Sequence, residues 1–447
     1  MGKIVLAQLF LLRCLLSYGQ TDNNLAPGNA ALIKELQLLA SDNGIDADSA
    51  LRTLSSWNKY PLLHGVNRYY LFSYKDPTIG TTPLKVFVPG NYTSDHASPA
   101  ILILHGAVGI SSFTDAYKDT TADEEFFYKY YGEHNFIVIR PFADPAKKFD
   151  WVVNHFNGVG VRNGTNRTFA ILIAIITQLK QVLNIDDNRV FALGHSDGSD
   201  GSFGLEIYKP SSFAGFVAYN SMLTLLNSHD IYLRNTLNRP LYLVHSDLDD
   251  LRPIQQARLI VQILNSLKSP VSYREYIGYR HYDKHLELDL PNSYGWIKGT
   301  VRNPFQNTIT WELSDAEFNS CDWLRIVSFD TAMTAASWQT GLNVKSYNKR
   351  DKTYFDFPYY DLNTSAAVKA QYNQNSFDIY TSRVREIEVL ISPFMVDLRK
   401  PVVVRANGIE VFKGIVHPDK KFLLNNFISS FDRKAIWVNS IRLKINE

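Results

Sequence analysis

Three residues of this chain could carry out nucleophilic chemistry together: Ser196, Asp249 and His281. Each stands where an apolar run gives way to a polar turn. A serine hydroxyl is a weak nucleophile until a base takes its proton, and an imidazole does this when a third group orients it. Ser196 lies in Gly194-His195-Ser196-Asp197-Gly198, directly after the apolar run Val190-Phe191-Ala192-Leu193. Glycines on both sides of a serine at a strand-to-helix turn let two backbones pass closely and lift the hydroxyl above a sheet edge. The bare pattern also recurs by chance, and an ordinary Gly-Ser turn is its plain alternative. The strand pattern before it, and the helix pattern of Ser202-Phe203-Gly204-Leu205-Glu206-Ile207-Tyr208 after it, favour the nucleophile.

The other two members must reach the same edge. From 196 to 249 is 53 residues and from 249 to 281 is 32, and each interval has room for one or two strand–helix units. Pro240–His245 reads as a strand that ends in Ser246-Asp247-Leu248-Asp249-Asp250-Leu251-Arg252-Pro253. Three carboxylates thus cluster at a strand's C-terminal end, where ligands gather in open α/β sheets. Asp249 is read as the orienting acid, with Asp247 and Asp250 as alternatives. The two left over are expected to be solvated or to cap the helix that starts at Pro253. Val271–Ile277 reads as the last strand, followed by Gly278-Tyr279-Arg280-His281. His281 is read as the base, with His285 as the alternative, inside a helix. His195 is expected to pack or bond locally. The oxyanion donors are expected to be the N–H of Asp197, at a helix N-terminus, and that of Ala107, with Gly106 as the alternative. A simple strand-exit loop is the plain reading of the latter segment.

These positions demand a scaffold. Arg68–Tyr74, Leu84–Val88, Ala100–Leu104, Phe136–Pro141, Val190–Leu193, Phe213–Tyr219 and the two strands above alternate with helical patterns, among them Phe169–Asn184 and 253–267. Ile185-Asp186-Asp187-Asn188-Arg189 reads as a turn. Apolar strands alternating with helices predict a mostly parallel sheet covered on both faces. At 447 residues, 45% hydrophobic and 20% charged, the chain is globular with ample core. A formal charge of +2 argues against a nucleic-acid partner. No His/Cys/Asp cluster has metal-ligand spacing, and no phosphate-binding or dinucleotide fingerprint is present, so neither metal nor cofactor is expected.

Lys3 and the run Ile4–Leu12 read as a secretory signal over 1–19, with a buried N-terminal helix as the alternative. No apolar run reaches membrane length. The expected location is secreted or periplasmic. Cys321 would be the lone cysteine after loss of Cys14, so no intramolecular disulfide is expected. Sequons begin at Asn91, Asn163, Asn166 and Asn363. Residues 20–65 read as a short helical extension (Ala30–Ala40 and Asp46–Ser56), and 66–304 as the catalytic domain.

The order Ser196, Asp249, His281 is that of the α/β-hydrolase triad. The chain resembles secreted α/β-hydrolases of the polyhydroxybutyrate-depolymerase and feruloyl-esterase-like type. The resemblance rests on Val86-Phe87-Val88-Pro89-Gly90-Asn91-Tyr92, Leu104-His105-Gly106, Ile185–Val190, Gly194–Gly198, His245–Asp249 with Pro253, Gly295-Trp296-Ile297 and Arg302-Asn303-Pro304. It spans about residues 66–305. It differs at Ala107, at Ser199-Asp200-Gly201 and at His245-Ser246. It implies the α/β-hydrolase fold, with Asp249 at the acid position and a small-molecule or polymeric ester as substrate.

From Asn307 the helix signals fade and alternating runs dominate. Val402–Phe412 reads as two strands around Asn407-Gly408, a hairpin turn. A β-rich antiparallel domain over 305–447 is expected, its default role stability. The leading expectation for function is a serine hydrolase cleaving a carboxylic ester. Two alternatives are a serine peptidase of prolyl-oligopeptidase-like type and a hydrolase-derived binding protein with no catalysis, the latter suggested by Asp200 crowding the elbow. That only short helices precede the sheet favours the esterase over the peptidase.

Overall fold

The computed structural model describes residues 24–26, 28–42, 44–107, 125–152, 167–223, 231–342, 344–356 and 362–445. The predicted signal segment with Cys14, Val108-Gly109, the Asn163 sequon and Asn166 lie outside the described residues.

Eight strands form one sheet: β1 (Arg68–Asp76), β2 (Gly80–Val88), β3 (Ser98–Leu104), β4 (Ile137–Pro141), β5 (Ile185–His195), β6 (Gly215–Tyr219), β7 (Leu241–Ser246) and β8 (Val271–Tyr276). Their order is β1-β2-β4-β3-β5-β6-β7-β8. β1, β2 and β4 pair antiparallel, and every pair from β4·β3 to β7·β8 is parallel. The parallel strands β3, β6 and β7 are buried nearly throughout because helices cover both faces, whereas β1 and β2 alternate.

Helices α1 (Ala30–Ser41) and α2 (Ala47–Ser55) precede the sheet. α3 (Glu125–Glu133) and α7 (His285–Gly299) bury Phe127, Tyr131, Leu286, Leu290 and Ile297 against one face. The opposite face is covered by α4 (Thr168–Leu179), α5 (Asp197–Tyr208) and α6 (Ile254–Leu267). α4 is apolar all round, as suits a helix without a solvated face. This is the mostly parallel, doubly covered sheet that the strand–helix alternation predicts, and the α/β-hydrolase fold that the resemblance implies.

The polar run Ile185–Arg189 is a correction: it extends β5 instead of turning, and Ser98 pairs with Ile185 before a register irregularity. Its buried polar side chain, Asp187, has partners from elsewhere, which makes an extended path tolerable. Asp187 forms an ion pair with Lys180 at 2.9 Å and accepts a hydrogen bond from Arg433 Nε at 2.9 Å. Accordingly α4 stops at Leu179, short of the predicted Asn184.

Beyond the sheet come β9 (Thr308–Leu313), β10 (Ser320–Cys321), β11 (Leu324–Phe329), the hairpin β12 (Lys345–Asn348) and β13 (Thr353–Asp356), β14 (Ala366–Asn373), β15 (Ser376–Ser382), β16 (Val384–Ile391), β17 (Val402–Ala406), β18 (Ile409–Gly414) and β19 (Asn439–Lys444). Two sheets, β18-β17-β15-β14-β9 and β10-β11-β16-β19, share a core around Trp311, Trp323, Phe377 and Ile387. All pairs are antiparallel except β15·β17. Asn407 and Gly408 take φ of 51° and 84°, as the predicted hairpin turn requires. One helix interrupts the β pattern where none was expected: α8 (Lys420–Ser430). It buries Leu423, Leu424 and Phe427 in one cluster with Leu32 and Leu36 of α1 and Leu54 of α2. An apolar face covered from so far along the chain leaves no local signature.

Buried ion pairs join these sheets to the first. Arg302 holds Asp432 with two bonds, 2.7 and 2.9 Å, and Lys180 stands 3.7 Å from the same carboxylate. Burial would raise the Asp432 pKa, but Arg302 and Lys180 reverse this and hold it well below the usual range. Arg234–Glu312 and Arg239–Asp322 are buried likewise. Removing one partner of such a pair strands the other charge and destabilises by about 3–5 kcal/mol. Asp432→Asn is therefore expected to lower the urea unfolding midpoint by the equivalent of that amount; an unchanged midpoint would contradict the argument.

Candidate active site

Ser196 follows β5 directly, with φ 56° and ψ −125°, and α5 begins at the next residue. The predicted helix therefore starts at Asp197 rather than Ser202. The turn is as tight as glycines permit. A methyl group on Gly194 would stand 2.1 Å from the carbonyl carbon of Gly198, and one on Gly198 would stand 1.9 Å from the Leu104 oxygen. The Ser196 N–H donates to Tyr219 O of β6 at 3.0 Å, which pins the elbow to the neighbouring strand.

The loops after β7 and β8 bring the other two residues to this point. His281 Nε2 lies 2.8 Å from Ser196 Oγ, and His281 Nδ1 lies 2.6 Å from Asp249 Oδ2. Asp249 can only accept when ionised, so Nδ1 carries the proton and Nε2 is left to accept from the serine. All three side chains are buried or nearly so. Asp249 accepts four bonds: Oδ2 from His281 Nδ1 and from Asn220 Nδ2 (2.7 Å), Oδ1 from the N–H groups of Leu251 (2.9 Å) and Arg252 (2.7 Å). Burial alone would raise its pKa, but the bonds from His281, Asn220 and Arg252 prevail and hold it at about 2.

The alternatives are placed elsewhere. Asp247 Oδ1 accepts from Gly278 N at 2.7 Å, tying the acid loop to the histidine loop, and caps no helix. Asp250 is exposed. His285 opens α7 and donates to Asn220 Oδ1 at 2.9 Å, one residue removed from the acid. Burial lowers its pKa to about 4. His195 reaches farther than the local role expected of it: its Nε2 donates to the His281 carbonyl at 3.0 Å. Burial pushes its pKa down to about 3, so the ring is neutral.

Asp197 is the first residue of α5, where N–H groups lack acceptors within the helix. Ala107 lies three residues beyond Leu104, which pairs with Gly194 of β5, so both expected oxyanion donors belong to adjacent strand exits. Ala107 is exposed and Gly106 buried. Trp151 Nε1 fixes this exit by donating to His105 O at 3.0 Å.

Residue-by-residue reading of the sequence overlooks Asn220, Ser246 and Arg252. Asn220 directly follows β6 with φ 54° and donates to both Ser246 Oγ and Asp249 Oδ2 at 2.7 Å. An asparagine at a strand exit was its only trace. Arg252 bonds both Asp197 and Asp200. Two carboxylates three residues apart beside an apolar strand called for a cation. With that cation in place, Asp200 leaves the Ser196–His281 bond unobstructed. Among the described residues no group of three or more His, Cys, Asp or Glu could hold a metal, and no helix is long and apolar enough to cross a membrane.

No family model matches the chain, and no curated protein matches it. Solved structures resemble its fold. A thermostable esterase is 20% identical over 54% of this chain and 65% of its own, with a TM-score of 0.44. An S-formylglutathione hydrolase from Staphylococcus aureus is 18% identical over 54% of this chain and 99% of its own, with a TM-score of 0.38. Dipeptidyl peptidase 4 from Porphyromonas gingivalis is 12% identical over 53% of this chain and 36% of its own, with a TM-score of 0.42.

The Asp249 pKa carries a sign. Its folded value of about 2 lies below the ordinary 3.8. The stability it contributes is therefore fully present above about pH 4 and is lost as pH falls through about 2. The stability gap between the protein and its Asp249→Asn variant, followed by urea unfolding at stepped pH, is expected to be widest above pH ~5 and to shrink toward pH ~2. A gap constant across that window would contradict the assignment.

Proposed function

We propose that this chain is a serine hydrolase that cleaves carboxylic esters through an acyl-enzyme on Ser196. The observation that carries the proposal is the pair of bonds, 2.8 Å and 2.6 Å, linking Ser196, His281 and Asp249. In this reading Ser196 Oγ attacks the ester carbonyl carbon as His281 Nε2 takes its proton. Asp249, ionised and fully hydrogen-bonded, steadies the resulting imidazolium. The N–H groups of Asp197 and Ala107 hold the oxyanion. His281 then returns the proton to the leaving alcohol oxygen. Water enters and gives its proton to His281 as its oxygen bonds the acyl carbon; the bond from that carbon to Ser196 Oγ then breaks, His281 returns the proton to Oγ, and the carboxylic acid leaves.

Leu248, Leu251, Ile277 and Tyr282 are exposed on the same two loops that carry the acid and the base. Exposed apolar side chains on these two loops would suit an ester with an apolar acyl or alcohol part, either small or polymeric. The run Ile4–Leu12 supports export to the periplasm or the exterior as part of the proposal.

A fluorophosphonate probe is expected to label Ser196 in the protein and to leave Ser196→Ala unlabelled. The same variant is expected to lose about 10⁴-fold or more in kcat on p-nitrophenyl esters. Aminoacyl nitroanilides are expected to be cleaved far more slowly than these esters; the reverse order would make the enzyme a peptidase. Folded protein that neither takes the probe nor cleaves any ester would sink the proposal.

A further inference from the structure

We propose that Arg252 is a positioning residue that neutralises the two carboxylates in the first turn of the elbow helix, so that negative charge can build on the oxygen held beside Ser196. This rests on the hydrolase reading above.

The first turn of α5 carries Asp197 and Asp200. A helix N-terminus favours a nearby anion through roughly half a positive charge from its aligned peptide dipoles. Burial pushes the Asp200 pKa up to about 7 although Arg252 pulls the other way, so this carboxyl is only partly ionised near neutral pH. Its charge and that of the Asp197 carboxylate together still outweigh the dipole. They would repel any oxyanion forming at the Asp197 N–H, and the repulsion is strong because the site is dry: Asp200 is fully buried and Ser196 only 5% exposed. A cation between them removes the conflict. Arg252 is 5% exposed and gives one guanidinium nitrogen to each, Nη1 to Asp200 Oδ2 and Nη2 to Asp197 Oδ1. A planar fork can serve two acceptors in this way, whereas an ammonium group is a single point charge.

The charged and titratable groups facing Arg252 are few. Asp197, Asp200 and Asp249 act on it electrostatically. His195 and His245 also lie within electrostatic reach, but burial lowers them to about 3 and about 4, so both are neutral at working pH. Arg252 is therefore the positive charge that answers the two carboxylates of the turn. Its backbone is as constrained as its side chain. The N–H donates to Asp249 at 2.7 Å, and the carbonyl accepts from His245 Nε2 at 2.8 Å. One residue thus touches both the elbow and the acid loop.

A purely mechanical role must be separated from this one. Asp200 also accepts from Ser221 Oγ and from Met222 N at 2.9 Å, next to Asn220, which itself bonds Asp249. Arg252 could merely brace this ring. A brace and a charge balance predict opposite responses to a second substitution. If Arg252 is a brace, removing one of its partners as well can only loosen the site further. If it balances charge, removing a carboxylate restores the balance.

The test is steady-state hydrolysis of a p-nitrophenyl ester by the full chain, with thermal unfolding recorded for each variant. Arg252→Gln is expected to lower kcat about 100-fold, the scale of losing one oxyanion donor, with KM changed only a few-fold. Arg252→Gln combined with Asp197→Asn is expected to regain about tenfold of that loss. Should Arg252→Gln not fold, Arg252→Lys serves in its place, with a loss of about tenfold that Asp197→Asn again reverses. Unchanged kcat in the single variants, or a double variant no faster than its parent, overturns the proposal while leaving the hydrolase reading intact. A folded wild-type chain inert toward every ester would overturn both.

Discussion

A positive φ at a serine is a conformation that the residue does not choose, and Ser196 holds one at 56°. Such backbone costs of the order of 1–3 kcal/mol and persists only where the surroundings determine it fully. Here they do so from three sides. β3 presses against Gly198, β6 takes the Ser196 N–H, and the helix that begins at Asp197 continues the chain without a linker. The sheet order puts β5 between β3 and β6, so these constraints follow from topology alone. Everything else at the site is arranged around an oxygen whose place is already determined.

The remaining groups meet that oxygen through a dense buried polar network, in which each tautomer and amide orientation follows from the next. Ionised Asp249 makes His281 Nδ1 a donor. Asn220 must turn its NH₂ toward Asp249 and Ser246, which leaves its oxygen for His285. His195 and His245 donate to backbone carbonyls and stay neutral. A network with few free choices is stiff, and a stiff site can meet a developing charge without reorganising. The same density explains why several of its members are histidines, which offer a donor without a net charge.

The parts of this protein that could be read from sequence are those with a local cause. Apolar strands alternating with helices betrayed the sheet, and a serine between glycines betrayed the elbow. Asp249 and His281 could be picked out because strand exits on one sheet edge converge. What escaped had its cause far away. Ile185–Arg189 looked like a turn because its partners, Lys180 and Arg433, were not evident from the run itself. The α8 helix was hidden because its apolar face is matched by Leu32, Leu36 and Leu54, more than 360 positions earlier. Arg252 and Asn220 were overlooked because a lone arginine or asparagine in a loop has no pattern until its neighbours in space are known.

The joining of α1 and α2 to α8 also bears on how the molecule is made. A ribosome delivers Leu32, Leu36 and Leu54 early, and the residues that cover them, Leu423, Leu424 and Phe427, some 370 positions later. Throughout that interval an apolar surface waits without its complement. The sheet can form in the meantime from neighbouring strands, whereas closure of this long-range contact must come last and slowly. Any nascent chain that stalls before α8 emerges would display that surface to whatever binds greasy, unfinished polypeptide.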